Sequence, residues 1–124
     1  MKRVINAKQA PEAIGPYSHA NAFGAMIFTS GQLPVSEGKI VSGGIIEQSK
    51  QSLLNLQYVL KAAHADMTTV VKTTCYLADI NDFAAFNEVY KTFFKSDCPA
   101  RSCFAVKDLP LGALIEVEAI ACRK

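Results

Sequence analysis

Residues 114–121 read Leu114-Ile115-Glu116-Val117-Glu118-Ala119-Ile120-Ala121. Apart from its two carboxylates the run is apolar and rich in branched side chains, which predicts a strand in the core of a sheet. Because side chains alternate along a strand, the odd-numbered residues would share one face and Glu116 and Glu118 the other. We expect the odd-numbered face to pack against helices.

A carboxylate within a core strand is costly unless it is paired or hydrogen-bonded. Arg101 opens a second apolar run, residues 101–106, and the link 107–113 carries Pro and Gly, as hairpin-type connections do. We therefore predict neighbouring antiparallel strands that bring Arg101 and Glu116 into one pocket. Arg binds carboxylates through two hydrogen bonds and Glu transfers protons. The alternative is a structural ion pair buried at a subunit contact.

Length and composition narrow the class of protein. A chain of 124 residues fits a single domain spanning 1–124, and 50% hydrophobic residues argue against disorder. The net charge is +2 and no four basic residues are consecutive. This pattern lacks the electrostatic footprint of a dedicated nucleic-acid binder.

Short apolar stretches indicate neither a signal peptide nor a membrane span, so we expect a cytoplasmic protein with no membrane partner. The four cysteines form no Cys-x-x-Cys pair, and the two histidines stand apart from them. We therefore predict no metal site and free, mostly packing thiols.

Hydrophobic periodicity predicts the other elements, in the order βββ-α-β-α-ββ. The expected strands are 2–6, 18–23, 26–30 and 70–78, and a helix over 45–64 places Ile46, Leu53 and Leu60 on one face. A second helix would begin near Asp82 and carry a stripe of aromatic residues. The order predicts an α+β domain, a mixed or antiparallel sheet with two helices on one face. A second copy of the chain would cover the other face, near Arg101, Cys103 and Glu116.

Six segments together resemble the Rid family, in particular its reactive intermediate deaminase A type. They appear in the family's order and run along most of the chain: Ile14-Gly15-Pro16-Tyr17-Ser18, Phe28-Thr29-Ser30-Gly31-Gln32, Asn81-Asp82-Phe83, Asn87, Pro99-Ala100-Arg101-Ser102-Cys103 and Ile115-Glu116-Val117-Glu118-Ala119. The resemblance implies a chorismate-mutase-like α+β fold and a homotrimer with clefts between subunits. One departure, the short segment 95–98, bears on substrate preference if it borders the cleft.

The resemblance also implies an activity without a cofactor, the hydrolysis of enamines and imines such as 2-aminoacrylate and 2-aminocrotonate to 2-keto acids and ammonia. Arg101 would hold the substrate carboxylate, and Glu116 would handle water and protons. The remaining residues that it places in the cleft are Tyr17, with a catalytic role, and Ser30, Gly31, Asn87 and Cys103.

Several alternatives stay open at this point. Tyr17 could be a core aromatic, Asn87 could face solvent, and Glu118 has no assigned role. A positive Arg101 beside Glu116 would favour the ionised carboxylate in the empty site. For the whole protein the rival functions are a sensor of keto acids or other small carboxylates, an endoribonuclease-like translation inhibitor, and an isomerase.

Overall fold

The computed structural model describes residues 1–124, which form eight strands and two α-helices. In chain order these are β1 (Arg3–Ile5), β2 (Ala20–Phe23), β3 (Met26–Thr29), β4 (Val35–Ser36), β5 (Lys39–Ile40), α1 (Gly44–Ala62), β6 (Val70–Leu77), α2 (Phe83–Phe93), β7 (Ala100–Ala105) and β8 (Ile115–Cys122). Six strands form one sheet in the order β1-β2-β3-β8-β6-β7. Only β6 and β7 pair in parallel. The predicted α+β class with a mixed sheet and two helices is confirmed.

The alternation of β8 agrees with its sequence. Ile115 and Val117 are fully buried, whereas Glu116 and Glu118 on the other face are partly exposed. The buried face of β8 contacts α1, whose Leu53 and Leu60 are also fully buried. Burying each such aliphatic side chain stabilises the fold by roughly 1.5–3 kcal/mol.

Helix α1 forms close to its predicted bounds, and α2 begins next to Asp82 as predicted. Gly43 and Gly44, at φ 113° and 80°, turn the chain into α1, a conformation that glycine adopts without strain. Ile46 is exposed, so its place on the predicted apolar face is wrong. Before α2, the Asp79 carboxylate accepts a hydrogen bond from the Asn81 N–H (2.9 Å) and caps a short 3-10 turn. Neither helix has the length and apolarity that a membrane span requires.

A short ribbon was not predicted. Strands β4 and β5 pair around a turn at Glu37 and Gly38, both in the left-handed region. Gly38 suits this turn, because glycine adopts the left-handed conformation readily. Gln32 bridges to Val117 through two backbone hydrogen bonds of 2.8 and 3.3 Å.

The predicted hairpin between the last two strands is wrong. Strand β6 lies between β7 and β8, and Arg101 is the register partner of Thr73, whereas Glu116 is that of Tyr76. The cause is α2, which carries the chain from β6 over to a parallel position beside it, as β-α-β connections do. Residues 107–113 then pass the end of β6, where the Ala78 N–H donates to the Leu114 carbonyl (3.0 Å).

The two candidate residues also lie on opposite faces of the sheet. Arg101 lies on the face of buried Thr73 and contacts α2, while Glu116 lies with Tyr76 on the open face. The expectation that Arg101, Cys103 and Glu116 share one face is therefore wrong. The open face leaves Phe28 and Phe104 each 46% exposed.

Candidate active site

Glu116 borders a cavity of about 940 Å³, here called the Glu116 cavity. Its walls are the loop before β2, the residues after β3 and one side of α1. Among the lining residues are Tyr17, Ser30, Gly31, Asn55, Tyr58 and Glu116. The structure thus brings together four of the predicted site residues, Tyr17, Ser30, Gly31 and Glu116.

Gly31 lies against the Glu116 carboxylate. A Cβ at position 31 would overlap the carboxylate oxygen and lie 2.8 Å from the Glu116 Cδ. The backbone bridge between Gln32 and Val117 holds the two segments in this register. Glycine therefore does more here than end a strand, because no other residue leaves this space to the carboxylate.

The Glu116 pKa is raised, first by burial of the carboxyl and second by the neighbouring Glu118 charge. The expectation that Arg101 favours ionised Glu116 is wrong for a single chain, because the two lie on opposite faces. Glu118 accepts a hydrogen bond from the Tyr76 hydroxyl (2.9 Å). A carboxyl with a raised pKa can exchange a proton closer to neutral pH.

The loop that carries Tyr17 is held by His19, which the sequence reading did not single out. The His19 Nδ1 accepts a hydrogen bond from the Ala7 N–H (2.8 Å), so that its Nε2–H donates to the Pro11 carbonyl (2.8 Å). The Ser30 hydroxyl donates to the Ser18 carbonyl (2.6 Å). Tyr17 itself is 49% exposed, which excludes the alternative of a core aromatic.

Arg101 lies in a second, smaller cavity of about 400 Å³, here called the Arg101 groove. Its lining residues are Asn87, Glu88, Tyr90, Lys91, Phe94, Cys98, Pro99 and Arg101. The Arg101 Nη1 donates to the Asn87 Oδ1 (2.6 Å), so Asn87 is a partner of Arg101 rather than a solvent-facing residue. The remaining N–H groups of the guanidinium stay available for a ligand.

Two aromatic rings hold the guanidinium from α2. The Arg101 Cζ lies 4.7 Å from the Tyr90 ring centroid and 5.4 Å from that of Phe83. The Tyr90 hydroxyl hydrogen-bonds the Thr73 hydroxyl (2.8 Å), and burial raises the Tyr90 pKa to about 12. Sequence reasoning placed both rings in the core stripe and missed this contact, which depends on β7 lying beside β6.

Cys103, predicted to line the cleft, lies two residues beyond Arg101 on the same face and opposite Cys75. The neighbouring Cys75 thiol lowers the Cys103 pKa, and the Arg101 charge lowers it further. The Cys103 thiol and burial raise the Cys75 pKa.

The predicted residues therefore form two separate groups in one chain. The first group lines the Glu116 cavity and consists of Tyr17, Ser30, Gly31 and Glu116. The second group is Arg101 with its neighbours Asn87 and Cys103. No residue lines both cavities.

The sequence and the fold match known proteins over almost their full lengths. The chain is 52% identical to human 2-iminobutanoate/2-iminopropanoate deaminase, covering 98% of this chain and 90% of that protein. It is 45% identical to a RutC family protein of Pyrococcus horikoshii, with 100% of both chains covered.

Solved structures agree. A yeast protein superposes with a TM-score of 0.98 at 43% identity, covering 100% of both chains. Escherichia coli TdcF with bound serine superposes with a TM-score of 0.93 at 41% identity, covering 98% of this chain and 99% of that one. Residues 7–123 match the family described as Endoribonuclease L-PSP. On these grounds the chain belongs to the L-PSP, or Rid, family.

Proposed function

We propose that this chain hydrolyses 2-iminobutanoate and 2-iminopropanoate to 2-keto acids and ammonia, in a cleft that two copies of the chain complete. The observation that carries the proposal is the division of the candidate residues between two surfaces of one chain. Arg101 lies on the edge strand β7, and Glu116 lies on the open face of the central strand β8. The substrate class comes from the name of the 52% identical human relative.

This division favours a ring of copies, and the resemblance to the Rid family implies that the ring is a homotrimer. The Arg101 groove of one copy would face the Glu116 cavity of the next, a head-to-tail contact that generates a ring when the rotation closes. The open face supplies apolar surface for the contact, since Phe28 and Phe104 are each 46% exposed and Val4 is 54% exposed. One domain, residues 1–124, would be the repeating unit, with one cleft at each contact.

Arg101 would bind the carboxylate of the substrate. One Nη1 hydrogen is directed to Asn87, and the contacts with Tyr90 and Phe83 restrict the guanidinium before the substrate arrives. A restricted clamp loses less side-chain entropy on binding. Its remaining N–H groups can make the two parallel hydrogen bonds that a carboxylate accepts.

Glu116 would then manage the protons of the reaction. The water oxygen adds to the imine carbon while Glu116 accepts a water proton, and Glu116 then returns this proton to the imine nitrogen. The resulting carbinolamine collapses to the 2-keto acid and ammonia. The imine carbon is already electrophilic, so orientation and one acid–base group suffice. The raised Glu116 pKa supports this role. In the completed cleft, an anionic substrate would offset the positive charge of Arg101 and so keep the Glu116 pKa raised.

A sensor of small carboxylates is the second candidate. The observation in its favour is the similarity to TdcF, a structure of which contains bound serine. A sensor needs the Arg101 clamp but gains little from a carboxylate beside an anionic ligand. Glu116 therefore separates the two functions, and turnover decides between them.

The first experiment measures keto acid release from freshly generated 2-aminoacrylate and 2-aminocrotonate with the wild-type protein. Release at the uncatalysed rate would contradict the deaminase proposal and favour the sensor.

The second experiment mixes two inactive variants, Arg101→Ala and Glu116→Gln, by unfolding and refolding them together. If each cleft takes Arg101 from one copy and Glu116 from another, random mixing restores about a quarter of the clefts. Each variant refolded alone is the control. A mixture that stays inactive, with mixed oligomers demonstrated by mass spectrometry, would show that both residues must come from the same copy.

A further inference from the structure

Cys75 and Cys103 form a pair that is visible only in the folded chain. They are register partners on the neighbouring parallel strands β6 and β7. Neighbouring strands lie about 4.8 Å apart, within the range of about 4.4–6.8 Å between Cα atoms that a disulfide spans. Both side chains lie on the same face of the sheet, so the two thiols are neighbours.

The two thiols differ in exposure and in charge. Cys103 is partly exposed near Arg101, and the neighbouring Cys75 thiol and the guanidinium favour its thiolate. Cys75 is fully buried and keeps its proton. Because the thiolate is the nucleophile, Cys103 is suited to react first and Cys75 to react second.

The other two cysteines have different neighbours. The Cys98 thiol lies 3.6 Å from the Phe94 carbonyl oxygen, and the Cys122 sulfur lies 3.8 Å from that of Met26. Neither has a cysteine as its register partner in the sheet. They serve as internal controls for any reaction that depends on the pair.

We propose that Cys75 and Cys103 form a dithiol site that a hydroperoxide oxidises to a disulfide between β6 and β7. The Cys103 thiolate attacks the peroxide oxygen and the O–O bond breaks, leaving a sulfenic acid and hydroxide. Cys75 sulfur then attacks the Cys103 sulfur; the S–O bond breaks, and the Cys75 proton leaves with the oxygen as water. For hydrogen peroxide, the two thiols lose two protons and two electrons, and the peroxide takes up both and becomes two molecules of water.

Strain makes this disulfide reversible. Side chains opposite each other on parallel strands stand about as far apart as the strands, about 4.8 Å. The Cβ atoms of a disulfide are only about 3.8 Å apart, so closing the bond must pull β7 towards β6. Strained disulfides are reduced more readily, so a small dithiol reductant should restore the pair.

The test oxidises the reduced wild-type protein with limiting hydrogen peroxide, then alkylates the remaining thiols after unfolding and measures the intact mass. We expect a loss of two hydrogens, two cysteines protected from alkylation, and a cross-link that peptide mapping assigns to Cys75 and Cys103. Dithiothreitol should reverse the change. The Cys98→Ser, Cys122→Ser double variant should give the same result.

The matched variant is Cys75→Val, which removes the thiol and keeps the buried side chain apolar. Without the second thiol, Cys103 should gain oxygen and form no internal disulfide. In the wild type, a cross-link through Cys98 or Cys122 would overturn the proposal, as would oxygenated Cys103 beside an alkylated Cys75. Since these outcomes are read from the wild type, they hold even if Cys75→Val fails to fold.

Discussion

The carboxylate of Glu116 occupies the space that a Cβ on residue 31 would need. Two segments distant in sequence, the end of β3 and the start of β8, meet here through the backbone bridge between Gln32 and Val117. The Glu116 carboxylate can therefore occupy this position only because Gly31 has no side chain.

Replacing Gly31 with Ala should displace the Glu116 carboxylate and lower kcat for imine hydrolysis by at least about tenfold, because proton transfer requires close placement. The measurement is steady-state keto acid release. The rescue variant is Gly31→Ala with Glu116→Asp, whose shorter side chain withdraws from the added methyl group. The fold-loss of kcat in this double variant should be smaller than the product of the fold-losses in Gly31→Ala and Glu116→Asp. Wild-type kcat in Gly31→Ala alone would contradict the close contact.

Two variants of Tyr90 separate its ring contact with Arg101 from its hydrogen bond with Thr73. Tyr90→Leu removes the ring beneath the guanidinium and should weaken pyruvate binding several-fold, since a cation–π contact is worth about 0.5–2 kcal/mol. Tyr90→Phe keeps the ring and should leave the pyruvate Kd near the wild-type value. It should lower the free energy of unfolding by about 1 kcal/mol, because the Thr73 hydroxyl loses its partner. Calorimetric titration and denaturant unfolding measure the two effects, and an equal Kd for both variants would argue against the ring contact.

Glu116→Gln should separate an enzyme from a sensor. The amide keeps the shape of the side chain but cannot exchange protons near neutral pH. Turnover should fall by about 10²–10⁴-fold, while the pyruvate Kd stays unchanged or decreases because a negative charge is lost. Turnover at the wild-type rate would leave Glu116 with a structural role only.

Asp66 should contribute stability that depends on acid pH. Hydrogen bonds from Thr68 and Lys124 lower the Asp66 pKa to about 2 from a reference value of 3.8. A carboxyl whose pKa is lowered by folding stabilises the fold at pH values above its pKa in the unfolded chain. This contribution is lost as the pH falls through its pKa in the folded protein. The wild type should therefore exceed Asp66→Asn in Tm by the largest amount at pH 5, and this difference should shrink between about pH 4 and pH 2. A difference that is constant over this range would contradict the assignment.

The sequence by itself determined the elements and the kinds of residue at the site. Periodicity placed both helices and the buried face of β8, because two- and 3.6-residue repeats are local properties of the backbone. The six quoted segments identified the family and its expected site residues.

Only the tertiary structure decided which strands are neighbours. A Pro- and Gly-containing link is compatible with a hairpin, but α2 had already placed β7 in parallel beside β6, leaving the other side of β6 for β8. This pairing separates Arg101 from Glu116 and brings Cys75 opposite Cys103. Strand order is a non-local property, set by how the crossover helix packs on the sheet.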